Sequence, residues 1–427
     1  MKSFNSLASY LVSLERRSCP PEGFLIGTSS LEFTPVERQS GSSVKMNLTS
    51  ILLEEPTVAF GAVFTKNAFP GYPVRIGREM LSQKSSQGVL INNKIANVCA
   101  PGGKAAALSV CTAFQDLMGT GLSAPVFPSS TGVIGWSLPE DAIKENLPDL
   151  LSSLQRDSVL PAAKGIMTTD SFPKVRTVKA GQGSICGIAK GAGMIEPNMA
   201  TMLVFLMTDL IIERDTLRNI LSRVTNRTFN RISIDSDQST SDSVFLFSSC
   251  RKPSISEEEF EKALYTLCRD LAEDIVRNGE GTGHVIKVNI QGAESESQAA
   301  AFGKALINSP LSKTAVFGND PNVGRFVQAV GDYAGNNGIV LDEESVEIRL
   351  GEEIVFKNGE FLLDSEKELR LSDYLKERSL PTPCPGYPEH ERVVDVTVFL
   401  GLGQKSALVL GSDLSYEYVR ENADYRS

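Results

Sequence analysis

The sequence predicts a mixed α/β fold, of either the α/β or the α+β class. Segments with strand character alternate with segments of helical periodicity along the whole chain, which is the main observation behind this prediction. Apolar residues make up 41% of the 427 residues, enough for a full core in one large domain or two ordinary ones. No apolar run approaches the roughly 18 residues that a membrane-spanning helix requires, so we expect a globular chain.

Apolar runs of strand length predict the strands. Val58–Thr65 reads V-A-F-G-A-V-F-T and Thr201–Asp209 contains M-L-V-F-L-M, so both are predicted to be buried strands. Near the end of the chain, 395–400 and 407–410 are two further strand-like runs, separated by a Gly-containing segment. This spacing predicts that the two runs pair as a hairpin.

Helical periodicity and capping residues predict the helices. The most complete signal is S-E-E-E at Ser256–Glu259, a capping box that opens an amphipathic helix. Gly279 stands where the left-handed residue that ends such a helix is expected. Further helices are predicted over 104–118, within 138–154, over 215–229 and, as a tail helix, over 416–422.

Charge and cysteine content argue against several functional classes. Lys and Arg total 42 and Asp and Glu total 52, so the net charge is −10, and no basic block is present to contact nucleic-acid phosphates. The seven cysteines are odd in number and never closely paired, which argues against a disulfide framework and against a zinc site. A reducing compartment fits such a chain. We therefore expect a cytoplasmic protein, or a mitochondrial or plastid one in a eukaryotic host.

Four loops rich in glycine and polar residues point to an active site built from loops. None of them matches a P-loop, and none sits as a dinucleotide fingerprint would. Glycines allow a backbone to approach a ligand or to present its N–H groups, and several such loops in one chain favour a site over a set of turns. The loops are 129–135, 190–194, 278–283 and 317–325.

A nucleophilic enzyme of this sequence needs a base other than histidine. His284 and His390 are the only histidines, and neither lies near a G-x-S-x-G elbow. If the chain is cut between Ala200 and Thr201, the new α-amine of Thr201, with a pKa of about 7.7–8.0, lies beside the Thr201 hydroxyl and can serve as the base. The chain can make this cut itself, because the Thr201 hydroxyl can attack the Ala200 carbonyl. The sequence from Glu196 to Phe205 also fits a simple turn before a strand.

The residues around this bond closely resemble the self-cleavage segment of the glutamate N-acetyltransferase/ornithine acetyltransferase (ArgJ) family. The segment reads A-K-G-A-G-M-I-E-P-N-M-A-T-M-L from Ala189 to Leu203. Other motifs resemble those of the family, in the same order and over most of the chain. They lie at 63–67, 129–135, 167–170, 230–233, 279–282, 320–325 and 418–425.

The resemblance implies an acetyltransferase of arginine biosynthesis with a layered sandwich fold of the N-terminal-nucleophile kind. Such an enzyme takes acetyl from N-acetylornithine, holds it as an ester on Thr201 and passes it to glutamate. Some members also use acetyl-CoA as the donor. Self-cleavage divides the chain into an α chain, 1–200, and a β chain, 201–427, which assemble as an α₂β₂ heterotetramer. No metal or prosthetic group is expected.

The resemblance also assigns roles to single residues. Thr201 is the nucleophile, and Thr131 (side chain) and Gly132 (backbone N–H) form the oxyanion hole. Lys190 and Glu280 can supply the cation and the anion that recognise the carboxylate and the amino group of an amino acid. The substrate-binding positions are Thr168, Lys190, Thr201, Glu280, Asn422 and Ser427.

Two other functions are compatible with these residues. An amidohydrolase or aminopeptidase with an N-terminal nucleophile would also use Thr201 but would pass the acyl group to water. A binding or structural protein that has lost catalysis would leave the chain uncut.

The chain also departs from the family pattern at positions that concern substrate preference rather than class. These are the segment 92–99, Ser236 in place of Gly, Ser241 in place of Asn, Val323 in place of Trp and Ser427 in place of Thr.

Overall fold

The computed structural model describes residues 4–38, 41–196, 202–381 and 384–424. The chain forms two compact units. The described residues of 8–230 and 237–275 form the first, which we call the sandwich unit. Those of 1–7, 231–236 and 276–427 form the second, which we call the single-sheet unit. No helix in the described ranges combines the length and the apolar character needed to cross a membrane.

Helices and strands alternate along the described chain, which confirms the predicted mixed α/β class. The helices are α1 (Leu7–Arg17), α2 (Tyr72–Met80), α3 (Gly103–Met118), α4 (Glu140–Ser152), α5 (Leu160–Gly165), α6 (Arg214–Arg227), α7 (Glu257–Arg277), α8 (Glu296–Asn308), α9 (Pro310–Phe317), α10 (Gly324–Asn336), α11 (Ser365–Arg378) and α12 (Tyr416–Ala423). The strands are β1 (Phe24–Phe33), β2 (Val44–Thr57), β3 (Phe60–Phe64), β4 (Ser86–Asn92), β5 (Phe127–Ser130), β6 (Lys174–Ala180), β7 (Gly183–Lys190), β8 (Leu203–Leu210), β9 (Ile232–Ser233), β10 (Ser243–Lys252), β11 (Val285–Ala293), β12 (Glu347–Leu350), β13 (Glu353–Lys357), β14 (Glu360–Phe361), β15 (Val394–Phe399) and β16 (Lys405–Ser412).

The sandwich unit has two sheets packed face to face. One sheet has the strand order β1-β2-β4-β5 and the other β3-β10-β8-β7-β6. Phenylalanines join them: the ring of Phe127 on β5 lies 5.7 Å from that of Phe60 on β3 and 5.4 Å from that of Phe245 on β10. These edge-to-face contacts are the geometry that buried aromatic rings prefer, so they fix the spacing of the two sheets.

Helices cover the outer faces of both sheets. Phe114 of α3 and Leu147 of α4 share a buried cluster with Leu48 and Leu90 of the first sheet. On the second sheet, α7 packs so closely that a Cβ on Gly187 of β7 would lie 2.8 Å from a methyl carbon of Leu267. The α6 helix covers the same sheet beside β3. The order of layers is therefore helix, sheet, sheet, helix, the layered sandwich that the sequence predicts by resemblance.

The central strand β8 explains the apolar run that the sequence shows there. It reads L-V-F-L-M-T-D-L, and all eight residues are buried. It lies between β7, antiparallel to it, and β10, parallel to it. A strand with neighbours on both sides and layers on both faces has no solvent side, so apolar and polar residues do not alternate along it. The predicted strand is confirmed.

The single-sheet unit has seven strands with one face covered by helices. The strand order is β14-β13-β12-β15-β11-β16-β9. Phe302 of α8, Phe326 of α10 and Leu371 of α11 pack with Val288 and Val396 of the sheet in one buried cluster. The alternation of buried and more exposed residues along β15 shows that its other face lacks this cover.

The predicted hairpin between 395–400 and 407–410 is wrong. Both runs are strands, β15 and β16, but β11 lies between them, parallel to β15 and antiparallel to β16. The connecting segment bonds to β11 as well, since the N–H groups of Leu400 and Leu402 donate to the carbonyl oxygens of Gln291 and Gly292. A short connection predicts a hairpin only when no distant strand competes for the space between the two runs, and here β11 does.

The capping box is confirmed, but the predicted role of Gly279 is wrong. The Ser256 hydroxyl accepts the N–H of Glu259 at 3.2 Å, and the Glu259 carboxylate accepts the N–H of Ser256 at 3.2 Å. Gly279 does not have positive φ; the left-handed residue of this loop is Gly281, with φ of 62°. A Cβ on Gly281 would lie 2.3 Å from the backbone nitrogen of Tyr418, so the packing of α12 determines which glycine takes this conformation.

We expect Ser256→Ala to lower the free energy of unfolding by about 1 kcal/mol, the usual cost of losing an N-cap side chain. The hydroxyl is the acceptor of the Glu259 N–H, and alanine has none to offer. Urea denaturation measures the change. The matched control is Ser254→Ala, since Ser254 is exposed and precedes the cap. Equal stability of the two variants would contradict a stabilising role for the cap.

Candidate active site

The loop after β5 carries Thr131 and Gly132, the predicted oxyanion donors. The N–H of Thr131 donates to the carbonyl oxygen of Asn92 at 3.1 Å, and that of Val133 donates to the carbonyl oxygen of Lys94 at 2.9 Å. Gly132 between them has φ of 129°, and a Cβ there would lie 2.1 Å from the carbonyl carbon of Lys94. Glycine is therefore required where the two backbones approach.

Two hydrogen-bond donors of this loop remain for a ligand. In the part of the chain that the structure describes, the half-buried N–H of Gly132 meets no acceptor. The hydroxyl oxygen of Thr131 accepts a hydrogen bond from Nζ of Lys190 at 3.4 Å, so its own proton is left to donate. Two donors of this kind, with a cation beside one of them, match what the oxyanion of an acyl-transfer intermediate needs.

Lys190 reaches this loop because it is the last residue of β7. All eight residues of β7 are buried, and Lys190 itself is only 9% exposed. Its backbone pairs with Leu203 on β8, so the sheet fixes where the side chain starts. A lysine buried to this degree needs an anionic neighbour. The charge of Lys190 acts on Asp170, which is also buried.

Asp170 joins its own loop and the start of β6 to the residue that follows β7. Its Oδ1 accepts hydrogen bonds from Nζ of Lys174 at 2.5 Å and from the N–H of Gly191 at 2.8 Å. Its Oδ2 accepts the N–H of Thr168 at 3.1 Å. Burial by itself would raise the pKa of Asp170, but the charges of Lys174 and Lys190 and the bond from Gly191 outweigh it and lower the pKa to about 2. Asp170 is therefore ionised at neutral pH.

We expect the stability difference between the wild type and Asp170→Asn to shrink as the pH falls. The pKa of Asp170 is about 2 in the folded protein and about 3.9 in an unfolded chain. Its contribution to stability is complete above the unfolded value and is lost as the pH falls through the folded value. Urea denaturation of both proteins at about pH 5, pH 4 and pH 3 measures the difference. A difference that stays constant or grows towards acid would contradict this assignment.

In the single-sheet unit, Glu280 and Asn422 are in contact. The amide Nδ2 of Asn422 donates to Oε2 of Glu280 at 2.9 Å. The contact depends on α12, which packs against the loop at Gly281, where no Cβ could fit. Glu280 is buried. Burial and the neighbouring charge of Glu280 raise the pKa of Glu421. Two predicted substrate-binding residues thus meet, in a locally negative environment that suits an amino group.

A buried pair holds the loop that follows Glu280. Nδ1 of His284 lies 2.7 Å from Oδ2 of Asp413, and Nε2 of His284 lies 3.2 Å from the carbonyl oxygen of Leu375. The other carboxylate oxygen of Asp413 accepts the N–H of Gly283 at 2.9 Å. Both histidine nitrogens are thus occupied in the core, so His284 supports this loop and is not a candidate base.

The structure places the predicted site residues in three groups. In the sandwich unit, Lys190 contacts Thr131, and Thr168 is joined to the residue after Lys190 through Asp170. In the single-sheet unit, Glu280 contacts Asn422. The third group is Ala200, Thr201 and Ser427, which lie outside the described residues.

Three polar residues of the sandwich unit were not assigned by sequence reasoning. Asp170 stands in a motif that resembles the family, but its role becomes visible only through contacts with distant residues. Asn92 accepts the N–H of Thr131, and Asn93 donates from Nδ2 to the carbonyl oxygen of Met167 at 2.9 Å, next to Thr168. The only local signal is that a buried strand ends with a polar side chain, Asn92, and is followed directly by another, Asn93.

The layered fold and the two donors of the 131–132 loop are those of an α/β protein suited to acyl transfer. The profile of the ArgJ family matches residues 36–427. The chain is 40% identical over 423 residues to the arginine biosynthesis bifunctional protein ArgJ of Methylococcus capsulatus, covering 96% of this chain and 97% of that protein. It is 36% identical over 402 residues to the glutamate N-acetyltransferase of Methanocaldococcus jannaschii, covering 89% and 94%. The crystal structure of an ArgJ protein from Bacillus halodurans is 34% identical, with a TM-score of 0.45, covering 52% of this chain and 98% of that one.

The chain belongs to the ArgJ family. The family predicted by resemblance is therefore confirmed, and the match extends over nearly the whole chain. The division into an α chain and a β chain, and the roles given to single residues, stay predictions.

Proposed function

We propose that this protein transfers an acetyl group from N-acetylornithine to glutamate in arginine biosynthesis. The observation that carries the proposal is the paired donors of Thr131 and Gly132 beside the buried Lys190, in a chain of this family. The names of the relatives support the same activity, since they include arginine biosynthesis proteins and a glutamate N-acetyltransferase.

Self-cleavage is the first step of the proposed mechanism. The Thr201 hydroxyl attacks the carbonyl carbon of Ala200, a C–O bond forms and the C–N bond breaks, which gives an ester and a free amine. Water then hydrolyses the ester, leaving a carboxylate on Ala200 and restoring the Thr201 hydroxyl. The new α-amine of Thr201, with a pKa of about 7.7–8.0, is the general base of the mature enzyme.

Acetyl transfer then takes place in two halves. The Thr201 amine accepts the hydroxyl proton while Thr201 attacks the acetyl carbon of N-acetylornithine, and the oxyanion is bound by Thr131 and Gly132. The C–N bond breaks, and the α-amino group of ornithine leaves with the proton. In the second half, the α-amine of glutamate attacks the acetyl ester, which releases N-acetylglutamate and free Thr201.

Substrate recognition in the proposal rests on opposite charges. Lys190 binds a substrate carboxylate, because it is the predicted cation and lies beside the Thr131 donor. The N–H of Thr168 donates to Asp170, which also accepts the N–H of Gly191, the residue after Lys190. Glu280 and Asn422 bind an amino group, and Ser427, the last residue, completes the set.

The mature protein that we propose is an α₂β₂ heterotetramer of chains 1–200 and 201–427, located in the cytoplasm or in an organelle of a eukaryotic host. It acts on small molecules and needs no metal or prosthetic group. Acetyl-CoA is the candidate second donor, in keeping with the word bifunctional in the names of several relatives.

The test of this function follows the acetyl group. The purified protein is incubated with N-acetylornithine, carrying a ¹³C label in the acetyl group, and with glutamate. We expect labelled N-acetylglutamate and free ornithine in equal amounts. Labelled acetate in place of N-acetylglutamate would identify an amidohydrolase, and no turnover of an uncut chain would point to a protein without catalysis. The same assay with labelled acetyl-CoA separates bifunctional from monofunctional enzymes.

A further inference from the structure

We infer that Asp170 is the positioning residue for the site residues of the sandwich unit, and that it sets both substrate binding and self-cleavage. It would do so by fixing Thr168 and the peptide after Lys190 in one geometry. The inference deepens the proposed function and rests on it. Asp170 would touch neither substrate nor the reacting atoms.

The first step of the argument is that Asp170 connects two separate loops. Its two carboxylate oxygens accept the N–H of Thr168 at 3.1 Å and the N–H of Gly191 at 2.8 Å. The side chain is buried, so water does not compete for these bonds. A carboxylate can accept from both loops at once, whereas an amide at this position would turn its NH₂ group towards one of the donors.

The second step is that the Asp170 carboxylate has a dedicated counter-ion. Nζ of Lys174 lies 2.5 Å from Oδ1, and both side chains are 0% exposed. Lys174 starts β6, and its backbone pairs with Ala189 on β7, one residue before Lys190. The position of the carboxylate is therefore set by the same sheet that carries Lys190, which makes Asp170 a rigid reference point for the loops.

The third step is that Asp170 holds the start of the segment that leads towards Ala200–Thr201. Gly191, bonded to Asp170, has φ of 152°, and Met194 has φ of 57°, so the segment turns through conformations that most residues avoid. At its far end, the N–H of Glu196 donates to the carbonyl oxygen of Asp237 at 3.0 Å. A segment tied at both ends has a defined path, and the tie at Gly191 is a single side chain.

A matched control exists at the opposite end of β7. Asp209 is buried as well, and its carboxylate accepts the N–H groups of Ser184 at 2.8 Å and Glu22 at 3.3 Å. Asp209→Asn therefore changes the same kind of carboxylate–backbone contact, at Ser184 near the start of β7, whereas Gly191 and Lys190 lie at its other end. Loss of stability alone affects both variants, whereas loss of positioning affects only Asp170→Asn.

The experiment compares the wild type, Asp170→Asn, Asp209→Asn and the double variant Asp170→Asn/Lys174→Met. Intact-mass spectrometry of samples taken over time gives the self-cleavage rate, and the mature fraction gives kcat and KM for both substrates. Urea denaturation gives stability. The double variant removes both charges of the Asp170–Lys174 pair but still leaves Lys190 without the Asp170 charge. It should therefore regain the part of the stability loss of Asp170→Asn that comes from an unpaired Lys174.

We expect Asp170→Asn and the double variant to cleave slowly and to lose about 100-fold in kcat/KM, the scale of a small misplacement of reacting groups. The KM for each substrate should rise, because Lys190 and Thr168 are displaced. Asp209→Asn should keep wild-type cleavage and kinetics. Cleavage and kcat/KM of the double variant within twofold of those of Asp209→Asn would overturn the inference. A wild type that neither cleaves nor transfers acetyl would instead overturn the proposed function.

Discussion

We expect Thr201→Ala to remain a single chain and to take up no acetyl group. Alanine has no hydroxyl to attack the Ala200 carbonyl, so no ester forms, and without the cut no α-amine is released to act as the base. Intact-mass spectrometry of wild type and variant, each with and without N-acetylornithine, measures both effects. The wild type should give fragments 1–200 and 201–427, with one acetyl group added to the second.

The control for this experiment is Thr201→Ser, which keeps a hydroxyl and, after cleavage, an α-amine. It should be cut at the same bond and acetylated, since only a methyl group is lost. Cleavage of Thr201→Ala at the Ala200 bond, or its acetylation by N-acetylornithine, would show that another residue is the nucleophile. A wild type that stays whole and takes up no acetyl group would contradict the proposed self-cleavage and acetyl transfer.

We expect Thr131→Val to lower kcat by about 10²–10³, with a much smaller change in KM. Valine keeps the volume and shape of threonine but lacks the hydroxyl, and losing one oxyanion donor costs about 10²–10³ in kcat in enzymes of this kind. The oxyanion exists only after attack, so its stabilisation appears in kcat rather than in substrate binding. Steady-state transfer from N-acetylornithine to glutamate by the mature fraction measures the effect.

Ser129→Ala is the matched control for the Thr131 variant. Ser129 lies two residues earlier on β5, is buried, and its hydroxyl has no hydrogen-bond partner among the described residues. Removing it therefore leaves no broken contact, and kcat should stay at the wild-type level. If both variants lose the same fraction of kcat, the loss reflects packing of the loop rather than a donor. Should Thr131→Val slow self-cleavage as well, the slower appearance of the two fragments measures the same deficit.

Local signals predicted local structure well. Neighbouring residues determine both the strand β8 and the capping box of α7, and both predictions are confirmed. The predicted hairpin between β15 and β16 is wrong because β11, which pairs with both strands, comes from a distant part of the chain. Ser236 adopts φ of 63°, a left-handed conformation that favours glycine.

The candidate site was predicted by resemblance and not by geometry. No periodicity or spacing indicates that Lys190 would lie beside Thr131, because the packing of two different sheets brings them together across 59 positions. Asp170 is a second case: its partners at 168 and 174 are local, but its bond to Gly191 spans 21 positions. Such a residue is found only when contacts between separate loops are known.

The strand order of the second sheet also bears on whether the two chains can separate after the cut. Cutting at Ala200–Thr201 would assign β3, β6 and β7 to one chain and β8 and β10 to the other. In the strand order β3-β10-β8-β7-β6, the two strands of the β chain lie between strands of the α chain. Neither chain could leave without unfolding the core of the sandwich unit. Each β chain thus stays with the α chain that was cut from the same precursor chain. Cells expressing a Thr131→Val copy, altered in the α chain, and a Glu280→Gln copy, altered in the β chain, should therefore not regain activity by exchanging halves after the cut.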